Sequence, residues 1–170
     1  MEVRTANRQD LVNIGRLAHE VWWGAYADLV TSETINRALD ANYTPSILAE
    51  RLLKHYCFLA VDDGETVGFA EGVPGEDRVV LATLHCREGG NLEVGRMLID
   101  RMRDLAPGLP MCSDVVLGHL DAESFFEDIG FAPGEVIEAQ LEGEAIVRRR
   151  WWLPAAEPSV ALPIDDIQTG

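Results

Sequence analysis

Two side chains in the middle of the chain are of the types that move protons. Glu71 closes one apolar strand-like run, Thr66 to Glu71, and His85 stands near the end of the next, Arg78 to Cys86. A carboxylate or an imidazole at a strand end is a candidate general base, and histidine titrates nearest neutrality. Directly afterwards comes REGGNLEVG, residues 87–95, and then a helical stripe of Val94, Leu98, Met102 and Leu105. A helix start leaves N–H groups unpaired and carries a partial positive charge, and glycines let the main chain approach a bound anion. Gly89, Gly90 and Gly95 bracket Asn91 to Val94. The amides around Gly90, Asn91, Leu92, Val94, Gly95 and Arg96 are therefore candidates for cradling a diphosphate, with Arg87 and Arg96 adding charge suited to phosphate. Glu93 is discordant, because a carboxylate there repels phosphate strongly in a dry site and weakly if it faces water. The same glycines also suit a plain strand-to-helix connector.

Other candidate chemistry is weaker. His55 with Cys57, and His85 with Cys86, are near neighbours on strands, where adjacent residues point to opposite faces, so no metal site is expected. Cys57, Cys86 and Cys112 are odd in number and contain no CxxC, which argues against a disulfide framework or a zinc knuckle. Cys57 and Cys112 are expected to pack as small hydrophobes. Arg148 to Arg150 form a basic run in an acidic chain, expected to lie on a strand and pair across a hairpin with glutamates such as Glu138 and Glu142.

These residues need a scaffold. Residues 2–5 read as a strand, and Leu11, Ile14, Leu17, Ala18, Val21 and Trp22 as a half-buried helix capped by Asn7 or Asp10. Residues 31–55 read as two helices, the second beginning at Thr44-Pro45. Phe58–Val61, Thr66–Glu71 and Arg78–Cys86 follow as an antiparallel meander, with Asp62-Asp63-Gly64 as a hairpin turn. After the second helical region come a strand at Val115–Leu117, a helix capped by Asp121 and ended by Gly130, and two closing strands around Glu142-Gly143-Glu144. The strand–helix–strand segment at 79–117 is a crossover, so its strands should be parallel. The expected architecture is α+β in three layers: a mixed, mostly antiparallel sheet of six or seven strands with helices on both faces. Residues 1–153 form the domain, and 154–170, with three prolines, read as an irregular acidic tail.

Three stretches carry a resemblance to the Gcn5-related N-acetyltransferase family. VWWGAYADLVTSETI (21–35) resembles that family's first arm, LHCREGGNLEVGRML (84–98) its acetyl-CoA motif, and AESFFEDIGF (122–131) its closing helix; together they span about residues 2–153. The resemblance implies acetyl-CoA as co-substrate, with no metal. It implies that the strand end Leu84 to Cys86 pairs with the pantetheine arm, and that Trp23 and Tyr26 shape the acceptor pocket. An amine, small or on a peptide, would attack the thioester in a ternary complex, after losing a proton to Glu71 or His85. Two departures matter. The motif's first cationic or amide position falls on Gly90 and its middle glycine on Glu93. The tyrosine that often protonates the departing thiolate is matched by Phe126, which has no proton to give. These departures keep a second reading open: an inactive member of the same fold that serves as a binding or interaction module.

Charge narrows the partners. The 170 residues carry 14 basic against 29 acidic side chains, a formal −15, with Lys54 the one lysine. Nucleic acid and anionic membranes are disfavoured, since both are bound through clustered cations. A cationic amine would be favoured by long-range attraction. The acidity fits either a salty cytoplasm or genome composition. No apolar run approaches the ~18 residues of a membrane span, and the setting is read as cytoplasmic. One of Trp151 and Trp152 is expected in the core and the other exposed, with a homodimer contact as one use for it.

Overall fold

The computed structural model describes residues 1–87 and 92–156. Seven strands form one sheet: β1 (Glu2–Thr5), β2 (Tyr56–Asp62), β3 (Glu65–Pro74), β4 (Val79–Cys86), β5 (Met111–Val116), β6 (Ala132–Leu141) and β7 (Glu144–Leu153). Their order is β1-β2-β3-β4-β5-β7-β6, and every pairing is antiparallel except β4 with β5. Helices α1 (Leu11–Tyr26), α2 (Ser32–Asn42) and α3 (Pro45–Lys54) cover one face, and α4 (Leu92–Leu105) and α5 (Leu120–Ile129) the other.

Local chemistry explains the helix boundaries. Asn7 and Asp10 make a reciprocal capping box before α1, and Thr31 Oγ1 accepts the Thr34 N–H at the start of α2. Pro45 occupies the first turn of α3, where its missing N–H is not needed. Gly130 closes α5 at φ 110°, a left-handed position that suits glycine. The N-cap of α5 is His119 rather than Asp121, which lies inside the first turn. β5 begins at Met111, four residues before the Val-Val pair that marked it in sequence.

Each helical layer has its own core. Ile14, Leu17, Ile35, Leu39 and Leu48 meet Cys57, Leu59 and Phe69 on one face, while Val94, Leu98, Ile99, Met102 and Phe126 meet Phe58, Ala70, Val79 and Leu81 on the other. Two irregularities in this sheet create the site. First, β4 and β5 pair only at Val79–Met111 and Val80–Cys112 and then part, with Ser113 Oγ donating to the Leu81 carbonyl at 2.9 Å where they separate. Second, β4 carries a bulge: Gly72 faces Leu81 but Glu71 faces Thr83, which leaves Ala82 as the extra residue. The bulge reverses the alternation. Val79 and Leu81 face α4, whereas Thr83 and His85 face the α1–α3 layer.

Candidate active site

The parting of β4 and β5 opens two adjoining spaces. One, of about 210 Å³, lies where the strands splay and is lined by Trp22, Tyr26, Tyr43, His85, His119 and Arg148, among others. The second, of about 300 Å³, runs from the end of β4 to the start of α5, between Leu84, Cys86 and Arg87 on one side and Ala122, Phe125 and Phe126 on the other. The two share Val21, Ala25, Leu84, His119, Ala122 and Phe126, so they form one passage. A larger concavity of about 770 Å³ lies over the ends of β5, β6 and β7, but Glu138 is its one ionisable lining residue and nothing converges there. The smaller passage is therefore the candidate site.

His85 lies in the cleft as the sequence reading expects. It is buried, and its Nε2 is 2.7 Å from Tyr43 Oη. Burial pushes its pKa down to about 4, with the charge of Arg51 adding and Glu71 and the Leu84 backbone opposing. The ring is thus neutral near pH 7 and accepts the Tyr43 O–H in its Nδ1–H tautomer. Tyr43, at the C-terminus of α2, was not singled out from sequence, where nothing in its periodicity sets it apart.

Glu71 is placed elsewhere. It does not line the passage. Its carboxylate takes Arg51 Nε at 3.0 Å and Arg51 Nη2, His55 Nδ1 at 2.6 Å and Thr83 Oγ1 at 3.2 Å. Burial raises its pKa, but the hydrogen bond and charge of Arg51, joined by His55, hold it below the ordinary carboxylate value. A carboxylate so fully engaged is an anchor for the elements around it. Arg51 also donates to the Asn42 carbonyl at 2.5 Å and lies 4.9 Å from the centre of the Tyr43 ring, so this cluster fixes the tyrosine that faces His85.

On the first helix the roles divide differently from expectation. Tyr26 lines the cleft, with Trp22 stacked on it at 4.6 Å, while Trp23 is exposed and outside both spaces. One helical step of about 100° separates the two tryptophans and turns Trp23 away from the cleft toward solvent. Trp22, assigned to the core by its periodicity, is a lining residue. His119 lines both spaces and meets Tyr26 edge-on at 5.8 Å; burial lowers its pKa.

At the groove's outer end the arginines are committed. Arg87 reaches Glu65 at 2.6 Å and Glu20 at 3.5 Å, and Arg96 donates to the Asp128 carbonyl at the end of α5 at 2.8 Å. A helix C-terminus carries partial negative charge, which explains where Arg96 goes. Gly95 is required by packing: a Cβ there would stand 2.2 Å from Phe125 Cζ. Glu93 is exposed. Gly90 and Asn91 lie outside the described residues, as does the tail from 157 onward. Leu92 and Val94 lie in the first turn of α4, whose N–H groups lack helical partners. Phe126 packs against Phe131 and Trp151 and borders both spaces.

The remaining expectations sort simply. Among the described residues no group of three or more His, Cys, Asp or Glu is disposed to hold a metal ion. All three cysteines are free thiols; Cys57 and Cys112 are buried, and burial pushes the Cys57 and Cys86 thiols up to about 12, which makes them inert. Of the basic run, Arg150 holds Asp114 bidentately and Arg149 donates to the Gly134 carbonyl. The expected partners Glu138 and Glu142 are not used, because the hairpin register sets Glu138 against Val147 and Arg148 against Ile137. Trp151 is in the core, and Trp152 lies under Arg78.

No protein-family model and no curated protein matches the chain. Solved structures do match its fold. The PaiA N-acetyltransferase of Thermoplasma acidophilum, solved in complex with coenzyme A, is 19% identical and superposes with a TM-score of 0.73 over 87% of this chain and 96% of that one. A Gcn5-related N-acetyltransferase from Rhodopseudomonas palustris is 22% identical with a TM-score of 0.74, covering 90% and 94%. The ribosomal-protein-S18-alanine N-acetyltransferase of Escherichia coli is 15% identical with a TM-score of 0.63, covering 95% and 97%. The chain therefore has the fold of the Gcn5-related N-acetyltransferases: a mixed, mostly antiparallel sheet with helices on both faces.

Proposed function

We propose that the chain is an N-acyltransferase that moves an acetyl group from acetyl-CoA to an amine, with both substrates bound at once. The observation that carries this reading is the separation of β4 from β5 after a single short bridge. It leaves the second edge of β4 open beside an apolar groove and connects that groove to a polar cleft through the sheet. Leu84 and Cys86 lie where an extended pantetheine arm would add as a strand, and Val21, Ala122, Phe125 and Phe126 supply apolar walls. The first turn of α4 offers main-chain amides to the diphosphate. Acetyl-CoA supplies the acyl group as a reactive thioester.

The chain's own residues then divide the work. The cleft admits the amine on the α1–α3 side, where His85 and Tyr43 accept the proton that leaves the attacking nitrogen. A neutral imidazole held by a tyrosine O–H is ready for that without first shedding a proton of its own. Phe126 gives no proton to the departing thiolate, so water does so. A missing general acid typically costs ~10²–10⁴ in rate, and a slow enzyme is the expectation.

The fate of Arg87 and Arg96 favours a second reading, a binding module without transfer. Both are tied to protein partners, and Glu20 and Asp121 line the same groove. Calorimetric titration with acetyl-CoA separates the two. Saturable binding, followed by CoA release with a panel of amines, supports the transferase. No heat at millimolar ligand in either dilute or molar salt leaves the module.

A further inference from the structure

The arginine that the basic run leaves over lies in the acceptor cleft. Arg148 is half-buried and lines the 210 Å³ space, and among the described residues it makes no hydrogen bond and no ion pair. That is unusual in a chain with twice as many acidic as basic side chains. Arg149 and Arg150, its neighbours, both have partners. The nearest acidic group in the lining, Asp114, is already held by Arg150 at 2.7 and 3.0 Å. A second observation concerns the same space. Trp22 lines it, and its indole N–H is buried without an acceptor. The other such indole, Trp151, is packed in the core against Phe126. Trp22 thus reports on the space without filling it, and an unmatched guanidinium in the same lining is a planar set of donors suited to a carboxylate.

We infer that the acceptor is an amine carrying its own carboxylate, an amino acid, with the carboxylate held by Arg148 and the amine directed to the Tyr43–His85 pair. This rests on the acyl-transfer reading and narrows it to a substrate class. The cleft volume of about 210 Å³ accommodates a single amino acid with a modest side chain. The same arrangement uses the positive charge of Arg148 to offset the chain's net negative charge, which would otherwise repel a carboxylate.

The test compares L-amino acids with their amides as acceptors, in the full chain with acetyl-CoA. The amide has the less basic amine, so it is the more reactive of the two if charge is not read, and a preference for the free acid is correspondingly informative. The wild type should favour the acid in kcat/KM by about 10- to 150-fold, the usual worth of a hydrogen bond to a charged group, chiefly through KM. In Arg148→Gln that ratio should fall toward one, with Arg148→Lys in between and both variants melting like the wild type. A wild type that takes acid and amide equally, or a ratio untouched by Arg148→Gln, overturns the inference. The NMR signal of the Trp22 indole N–H gives a readout that needs no turnover. It should shift saturably with the amino acid, less with the amide, and not at all in Arg148→Gln. If no amine is turned over, the transferase reading fails, while a Trp22 shift still decides for or against carboxylate recognition.

Discussion

Arg51 and Arg148 stand on the same side of the sheet and meet opposite fates. Arg51, with a side chain 15% exposed, is matched on every side by Glu71, Thr83 and the Asn42 carbonyl. Arg148 lines a cleft and, among the described residues, has no hydrogen-bond or ion-pair partner. The first belongs to a closed polar cluster, in which each donor has an acceptor and which cannot take a ligand without being dismantled. The second belongs to an open one, where the missing partner must come from outside. Burial alone does not separate anchor from site; satisfaction does.

The largest expected effect breaks the closed cluster. Glu71→Gln leaves the Arg51 guanidinium without its counter-charge, and chemical denaturation should show a loss of about 3–5 kcal/mol. Arg148→Gln, which removes no partner, should stay within about 0.5 kcal/mol of wild type in the same assay. Equal losses in the two variants would erase the distinction.

Acid sharpens it next. His85 has a folded pKa of about 4 against an ordinary 6.5, so its neutral form is favoured in the native state. Its contribution is whole above about pH 6.5 and is lost as pH falls toward 4, up to about 3 kcal/mol. Glu71, held below the ordinary carboxylate value, follows: its contribution is present above that value and disappears at still lower pH. Urea midpoints should therefore fall in two stages between pH 7 and 3. A midpoint that does not move from pH 7 to 4.5 would show that His85 is not buried as described.

The smallest effect concerns the groove. Adding a methyl group in Gly95→Ala forces Phe125 to move, since the new atom would lie 2.2 Å from its ring. The expected cost is about 1–3 kcal/mol in a thermal or chemical melt. An unchanged melt would mean that the ring swings aside freely and that this end of the passage is as open as the Arg148 side.

Much of this was legible in the chain itself. Apolar periodicity and capping residues located the helices and most strands to within a few residues, though β5 and β6 begin well before the residues that marked them, and the crossover at 79–117 required one parallel pair. The site was legible only in part. His85 and Tyr26 fall in the passage as anticipated, but Glu71 does not, and Trp22 takes the place assigned to Trp23. Arg87 and Arg96 were credited to a ligand because sequence shows a charge without its partner, and Glu65, Glu20 and the Asp128 carbonyl are distant along the chain. Tyr43 was passed over, and Arg148 was assigned to a hairpin pairing with glutamates, for the converse reason: a residue is conspicuous in a site only when the residues around it are known.

What the amino-acid sequence determined by itself was the set of elements, their order and their apolar faces, because periodicity and caps act over a few residues. Tertiary structure decided which polar groups meet. The bulge at Ala82 is the clearest instance: strict alternation would put Thr83 and His85 on the face of Val79 and Leu81, against α4. One extra residue in the ladder turns both toward Arg51 and Tyr43. That residue is placed by how β3 and β4 pair over their whole length, a balance of contacts between segments that no local pattern encodes.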